Sequence, residues 1–168
     1  MNRYIPFFLC AFSLLILSSC LKKSDKCAYS QSTVVAPASE QQALSDSLNV
    51  HGVTATKDPS GFYYNIADAG SSAKVKDLCS TIAINYTGSF FSGQSFDSPS
   101  SPVVFVLGSL IDGWKKGIPL IGKGGSIDLY IPPSLAYGAN DVKDNQGNVV
   151  IPANSYLVFH VDLVDIAD

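Results

Sequence analysis

Few side chains in this 168-residue sequence are spaced to make or break bonds. It has two histidines and four cysteines, and they do not cluster at metal-ligand spacing. No serine or cysteine has a histidine placed as its base, so nucleophilic catalysis lacks a candidate. Gly122-Lys123-Gly124-Gly125 lacks the length and the following Lys-Ser/Thr of a phosphate loop, and reads as a turn. Asp141 to Gly147 faintly resembles a calcium loop, but Lys143 and Gln146 stand where a ligand and a glycine are needed. His51 reads as a solvated or capping residue and His160 as a surface one. What remains is apolar and aromatic. The single tryptophan, Trp114, sits in Leu110-Ile111-Asp112-Gly113-Trp114-Lys115-Lys116-Gly117-Ile118. Leu110, Ile111, Trp114 and Ile118 fall on one face of a short helix, with Asp112, Lys115 and Lys116 facing water in the sense that suits the helix dipole. So short a helix needs a larger apolar surface to cover it.

That cover must come from the flanking sequence, where the apolar period is two. Phe62, Tyr64 and Ile66 share a face, as do Ile82, Ile84 and Tyr86; Val103, Phe105 and Leu107; Ile127, Leu129 and Ile131; and Leu157, Phe159, Val161 and Leu163. Five half-buried strands around one helix predict an α+β fold with an antiparallel sheet. Ahead of them, Ser39 and Gln42 have capping-box spacing, and Ala43, Leu44 and Leu48 form a narrow stripe. These residues predict an extra N-terminal helix from about Glu40 to Leu48.

The N-terminus reads as a targeting signal. Arg3 precedes the apolar run Ile5 to Leu17, which is short for a membrane span. Leu17-Ser18-Ser19-Cys20 resembles the bacterial lipobox, which implies cleavage before Cys20 and acylation of that cysteine. Acyl chains there would anchor the protein far more firmly than one chain alone. The segment that follows is polar and rich in small residues, with Lys22, Lys23 and Lys26, and reads as a tether. In an exported compartment Cys27 and Cys79 either pair as a disulfide or stay as two unpaired thiols. A net charge of −3 without a basic patch argues against nucleic acid as a partner, and the chain is expected to act as a monomer.

Several of these residues fall in a familiar order. The first half is Asn85-Tyr86-Thr87-Gly88, Phe96-Asp97-Ser98, Phe105-Val106-Leu107-Gly108 and the Trp114 segment. The second is Gly124-Gly125, Leu129-Tyr130-Ile131-Pro132-Pro133, Leu135-Ala136-Tyr137-Gly138, Ile151-Pro152 and Leu157-Val158-Phe159. From Gly61 to Ile166 the sequence resembles the FKBP-type peptidyl-prolyl cis-trans isomerases, and its front end resembles their envelope-lipoprotein members. The resemblance implies a sheet half-wrapped around the helix, with an apolar pocket between them. Trp114 would be the pocket floor, with Tyr86, Phe96, Phe105 and Phe159 as walls and Leu110, Ile111 and Ile151 as rim. Tyr137 would donate its hydroxyl hydrogen to a substrate carbonyl, and Asp97 would accept or orient a polar group at the mouth. Val103 stands where the family commonly has another aromatic, and is expected to line the wall beside Phe105. Ala139 to Val150 is longer and more polar than the family's usual loop over the pocket.

The expected organisation is a lipoprotein signal peptide at 1–19, a lipid-anchored tether at 20–37, a helical extension at 38–57 and an isomerase domain at 58–168. The function implied is isomerisation of X-Pro bonds in exported polypeptides, catalysed by Tyr86, Asp97 and Tyr137 without metal or cofactor. The place implied is the cell envelope, with the outer membrane's periplasmic face favoured because Leu21 is not an aspartate. A second reading is a binding module for proline-containing segments of an envelope partner. A third is a structural lipoprotein whose pocket is filled by its own 139–150 loop.

Overall fold

The structure, a computed structural model, describes residues 27–167. The expected signal peptide, Cys20 and the three tether lysines lie outside the described residues. The period-two stretches form β1 (Thr56–Lys57), β2 (Tyr63–Asp68), β3 (Thr81–Phe90), β4 (Ser95–Asp97), β5 (Val103–Val106) and β6 (Ser126–Ile131). A short hairpin of β7 (Val142–Lys143) and β8 (Val149–Ile151) follows, and then β9 (Leu157–Ala167). Two α-helices accompany them: α1 (Ala38–Val50) and α2 (Asp112–Gly117). The main sheet is antiparallel throughout, in the order β1-β2-β6-β9-β3-β4, with β5 also pairing β3. β4 and β5 share one edge of β3, β5 along Thr81–Ile84 and β4 along Gly88–Ser89. The fold is therefore the expected α+β arrangement, an antiparallel sheet wrapped around a short helix.

Inward residues of the long strands carry the core. Ile82, Ile84, Ile127, Leu129, Ile131, Leu157, Val161 and Leu163 are fully buried under α2. Helix α2 comes close because its contact face carries glycines one turn apart. A Cβ on Gly113 would lie 2.6 Å from Ile131 Cδ1, and one on Gly117 2.5 Å from Leu129 Cδ2. This approach seats Trp114, only 4 % exposed, against the sheet.

The outer face of the sheet is covered at one end by α1. Leu44 and Leu48 pack with Tyr130, and Tyr63, Phe91, Tyr156 and Val158 close around them. Tyr130 and Ile131 are both buried although they point to opposite faces of β6, because a helix covers each side. Among the described residues no helix is long and apolar enough to cross a membrane.

Four expectations need correction. α1 starts earlier than the capping box implied: Pro37 occupies the N-cap with no side-chain cap bond, and Ser39 lies inside the first turn. The Pro37 carbonyl accepts the Gln41 N–H at 3.0 Å to open the helix, and Gln41 Nε2 donates back to the Ala36 carbonyl at 2.7 Å. The second helix is shorter than Leu110–Ile118, since Leu110 and Ile111 are extended and 3-10 turns flank it. Asp112 does not face open water. Its carboxylate is half-buried, 2.7 Å from Lys115 Nζ, and it accepts the Ser32 hydroxyl at 2.5 Å. Ile66 is 38 % exposed rather than half-buried; β1 pairs β2 only at Tyr63 and Tyr64, so at Ile66 β2 is an edge strand.

Candidate active site

The pocket opens between the inner face of the sheet and the α2 segment, with a cavity of about 420 Å³. Each wall residue comes from a different element. Tyr86 rises from β3, Phe96 and Asp97 from β4, Phe105 from β5 and Phe159 from β9. Leu110 and Ile111 come from the chain entering α2, Trp114 from α2 itself, and Ile151 ends β8. The rings stand like panels around the indole. Phe159 lies 5.0 Å from Trp114 at 86°, Tyr86 5.1 Å at 81° and Phe105 6.4 Å at 83°. Phe96 extends the wall, edge-on to Phe159 at 5.6 Å. Gly88 makes room for that pair, since a Cβ there would lie 2.5 Å from Phe96 and 2.9 Å from Phe159. Edge-to-face contacts of this kind add about 0.5–1.5 kcal/mol each beyond area burial, so the cage is held rigid by its own rings.

Besides the buried, unpartnered Trp114 indole N–H and the Ser109 hydroxyl, which donates to the Val106 carbonyl, the polar groups of the lining are Tyr86, Asp97 and Tyr137. The Tyr86 hydroxyl donates to Asp97 Oδ2 at 2.6 Å. Burial, and then the hydrogen bond to the Asp97 carboxylate, push the Tyr86 hydroxyl well above the usual phenol range. The Tyr137 hydroxyl is also pushed up, first by burial and then by the Asp97 charge. Both phenols therefore keep their protons at neutral pH. Tyr86's proton is committed to Asp97, whereas the Tyr137 hydroxyl has no partner among the described residues. At 39 % exposed, Tyr137 stands at the mouth with a proton to donate.

Tyr137 is placed mainly by backbone hydrogen bonds. A 3-10 turn over Pro133–Leu135 is closed by bonds from the Ala136 and Gly138 N–H groups to the Pro133 carbonyl, each 2.9 Å. Gly138 has φ +62°, a conformation other residues adopt at a cost, which turns the chain sharply after Tyr137. Asn154 N–H then binds the Gly138 carbonyl at 2.7 Å. From behind, Glu40 of α1 accepts the Ser134 N–H at 2.9 Å, so the N-terminal helix also fixes this turn.

Of the residues expected in the pocket, Val103 alone is absent from its lining. It shares a face with Phe105 but pairs with Ile84 at the far end of β5. Two residues along a strand is about 6.7 Å, enough to carry it beyond the cavity. Three lining residues escaped sequence reading: Ser109, Val142 and Val150. Ser109 was hidden in the run before Leu110. Val142 and Val150 lie in the segment read as a polar loop, which instead folds back as the β7–β8 hairpin around an Asp144–Asn148 turn. Two valine positions flanking an Asp-x-x-Gly turn were the available signal. The hairpin borders the cavity and does not fill it.

Outside the pocket, Cys27 and Cys79 are joined by a disulfide, with Cα atoms 5.5 Å apart. Among the described residues, these two and Asp77 form the group of His, Cys and acidic ligand atoms that all lie within 4.8 Å of one another. Both thiols are spent on each other. His51 caps α1 through Nδ1, 2.7 Å from the Ser47 carbonyl, and its ring lies against Phe91.

Comparison with known proteins settles the ancestry of this arrangement. The family model for FKBP-type peptidyl-prolyl cis-trans isomerase matches residues 71–164, which contain every pocket residue. The chain belongs to the FKBP-type peptidyl-prolyl cis-trans isomerase family. It is 40 % identical over 109 residues to the FKBP-type peptidyl-prolyl cis-trans isomerase FkpA of Escherichia coli strain K12, covering 63 % of this chain and 38 % of that protein. To FkpA of Buchnera aphidicola subsp. Schizaphis graminum it is 39 % identical over 114 residues, covering 66 % and 43 %. The chain thus spans about two fifths of the length of these relatives. The crystal structure of Escherichia coli FkpA superposes with a TM-score of 0.62 at 35 % identity, over 77 % of this chain and 58 % of that one. The crystal structure of AtFKBP13 superposes with a TM-score of 0.61 at 30 % identity, over 68 % and 99 %.

Proposed function

We propose that this chain is a peptidyl-prolyl cis-trans isomerase acting on proline-containing segments of exported polypeptides. One observation carries the reading: an aromatic cage floored by Trp114, with an unengaged Tyr137 hydroxyl at its mouth. Rotation about the amide loses resonance and faces a barrier of about 18–20 kcal/mol. The planar amide is the more dipolar form, so water holds it back more than it holds the twisted one. A proline ring seated on Trp114 leaves that water behind. Tyr137 donates to the carbonyl next to the proline and keeps hold of it while the bond turns. The Tyr86–Asp97 pair has a fixed proton, so it orients the wall and offers carboxylate oxygens to the substrate backbone. Uncatalysed exchange takes tens to hundreds of seconds, so modest barrier lowering matters to a folding chain.

The place of action in this reading is the cell envelope. The lipobox-like Leu17-Ser18-Ser19-Cys20 supports a lipid anchor at Cys20, on the outer membrane facing the periplasm, with the protein working as a monomer. Mass spectrometry of the mature N-terminus should find acylated Cys20; an unmodified one removes the anchor from the proposal. For the activity, protein starting after Cys20 should accelerate cis-to-trans exchange of a Leu-Pro peptide well above the buffer rate. Folded protein that binds the peptide without accelerating exchange would instead establish the binding-module reading.

A further inference from the structure

The pocket wall Gly108–Asp112 has a second side. Toward the cavity it presents Ser109, Leu110 and Ile111. Against its back lies the N-terminal segment Cys27–Ser32. The disulfide fixes Cys27 to Cys79, between two residues that frame the start of the wall. The carbonyls of Leu78 and Ser80 accept the N–H groups of Gly108 and Leu107 at 2.7 and 3.1 Å. Next in that segment, Tyr29 packs against Gly108, so closely that a Cβ at 108 would overlap its side chain. Ser32 then binds both ends of the first turn of α2. Its hydroxyl donates to Asp112 Oδ2 at 2.5 Å, and its carbonyl accepts Lys116 Nζ at 2.8 Å.

The wall needs such backing. Leu110 and Ile111 are extended and belong to no strand, and the helix that follows has six residues. A helix that short does not hold itself in water. The Asp112 carboxylate sits below the usual carboxylate range: partial burial opposes this, and Lys115 and Ser32 outweigh it. The family match begins at residue 71, so the strap lies outside the matched span.

We propose that the strap Cys27–Ser32 is a positioning element of the pocket, holding the Gly108–Asp112 wall in the shape that receives a proline segment. What the pocket receives rests on the isomerase reading; the coupling of strap to wall does not. Leu110 and Ile111 touch substrate in the planar and twisted states alike, so the strap acts on binding. Tyr137 and Asp97 do not touch it.

Trp114, the only tryptophan in the chain, reports on the pocket floor directly. The test uses the full chain in detergent, with folding checked by circular dichroism. Tyr29→Ala, Tyr29→Phe, Ser32→Ala and the reduced wild type are compared with the oxidised wild type. A Leu-Pro tetrapeptide is titrated against Trp114 fluorescence, quenching by acrylamide is measured, and isomerisation gives kcat and KM. Tyr29→Ala and reduction should each weaken peptide Kd and raise KM about three- to tenfold, the scale of an ordering cost moved into binding. Trp114 quenching should rise with them, while kcat stays within about twofold. Tyr29→Phe, which keeps the ring on Gly108, should behave as wild type. Ser32→Ala should show a smaller effect in the same direction, and decides the matter where Tyr29→Ala does not fold. Unchanged Kd and quenching in folded Tyr29→Ala and Ser32→Ala, even with a lower melting temperature, would overturn the proposal. A protein that never isomerises but shows strap-dependent quenching sinks the enzyme reading and leaves the strap standing. One that isomerises with strap-independent KM does the opposite.

Discussion

Tyr137 and Tyr86 show how two identical side chains take different work from their surroundings. Both are phenols at the rim of one cage, both raised by burial and by Asp97. Only Tyr86 has its hydroxyl hydrogen engaged, donating to Asp97 at 2.6 Å. Tyr137→Phe removes the unengaged hydroxyl donor at the mouth and leaves the apolar lining intact. It should lower kcat about tenfold, the worth of one neutral hydrogen bond realised during rotation. Peptide affinity should hardly change, which titration of Trp114 fluorescence would check. Val103 is the contrasting residue. Were it in the wall, a phenylalanine there would add roughly 1–2 kcal/mol of binding through buried area and ring contact. Because it lies outside the lining, Val103→Phe should alter the Kd of a proline peptide less than about twofold. A tenfold tightening would return Val103 to the wall.

At the scale of elements, the close seating of α2 on β6 decides where the indole goes. Gly113 and Gly117 are poor helix residues, and alanine at an ordinary helical glycine gains up to about 1 kcal/mol. Here the Cβ would meet three atoms of Ile131 between 2.6 and 2.9 Å. Ile131 is fully buried and branched at Cβ, so it has little room to give. Overpacking of this sort costs about 1–3 kcal/mol, which exceeds the propensity gain. Gly113→Ala should therefore destabilise the protein by about 1 kcal/mol or more in urea unfolding. It should also tilt Trp114, seen as a shifted emission maximum. Helix α1 and the strap act on the other side of the same machine: Glu40 on the Tyr137 turn, and Tyr29 and Ser32 on the Trp114 wall.

For the molecule as a whole, the outer face of the sheet carries a charged cluster whose titration bears on stability. His160 on β9 has Nδ1 2.7 Å from Asp128 and Nε2 3.4 Å from Asp162. The hydrogen bond to Asp128 lifts its pKa, partial burial opposes this, and the charges of Asp128 and Asp162 lift it further. A histidine raised on folding stabilises the native state below its unfolded value, about 6.5, where it is charged in both states. The contribution fades as pH rises through the folded value. The difference in melting temperature between wild type and His160→Gln should thus be largest near pH 6 and shrink toward pH 8.5 or so. A difference that grows with pH would mean the imidazole is held neutral.

Much of this protein was legible in its sequence because local patterns and short-range chemistry decide it. The period of two placed the strands, and Leu44 and Leu48 marked the buried stripe of α1. The order of Tyr86, Phe96, Asp97, Trp114, Tyr137 and Phe159 carried the family. The tertiary structure alone decided what depends on distance between elements. A shared strand face could not show that Val103 runs past the cavity, because a face has direction but no end. Pairing of β7 with β8 turned a polar loop into pocket wall, since hydrogen-bonded register and not hydropathy brings Val142 beside Ile151. The strap falls within the stretch that reads as a tether, as its small polar residues suggest in isolation. Contacts across some eighty residues, from Tyr29 to Gly108 and from Ser32 to Asp112, hold it against the pocket instead. No local propensity encodes such contacts; they exist only once the sheet has brought their two ends together.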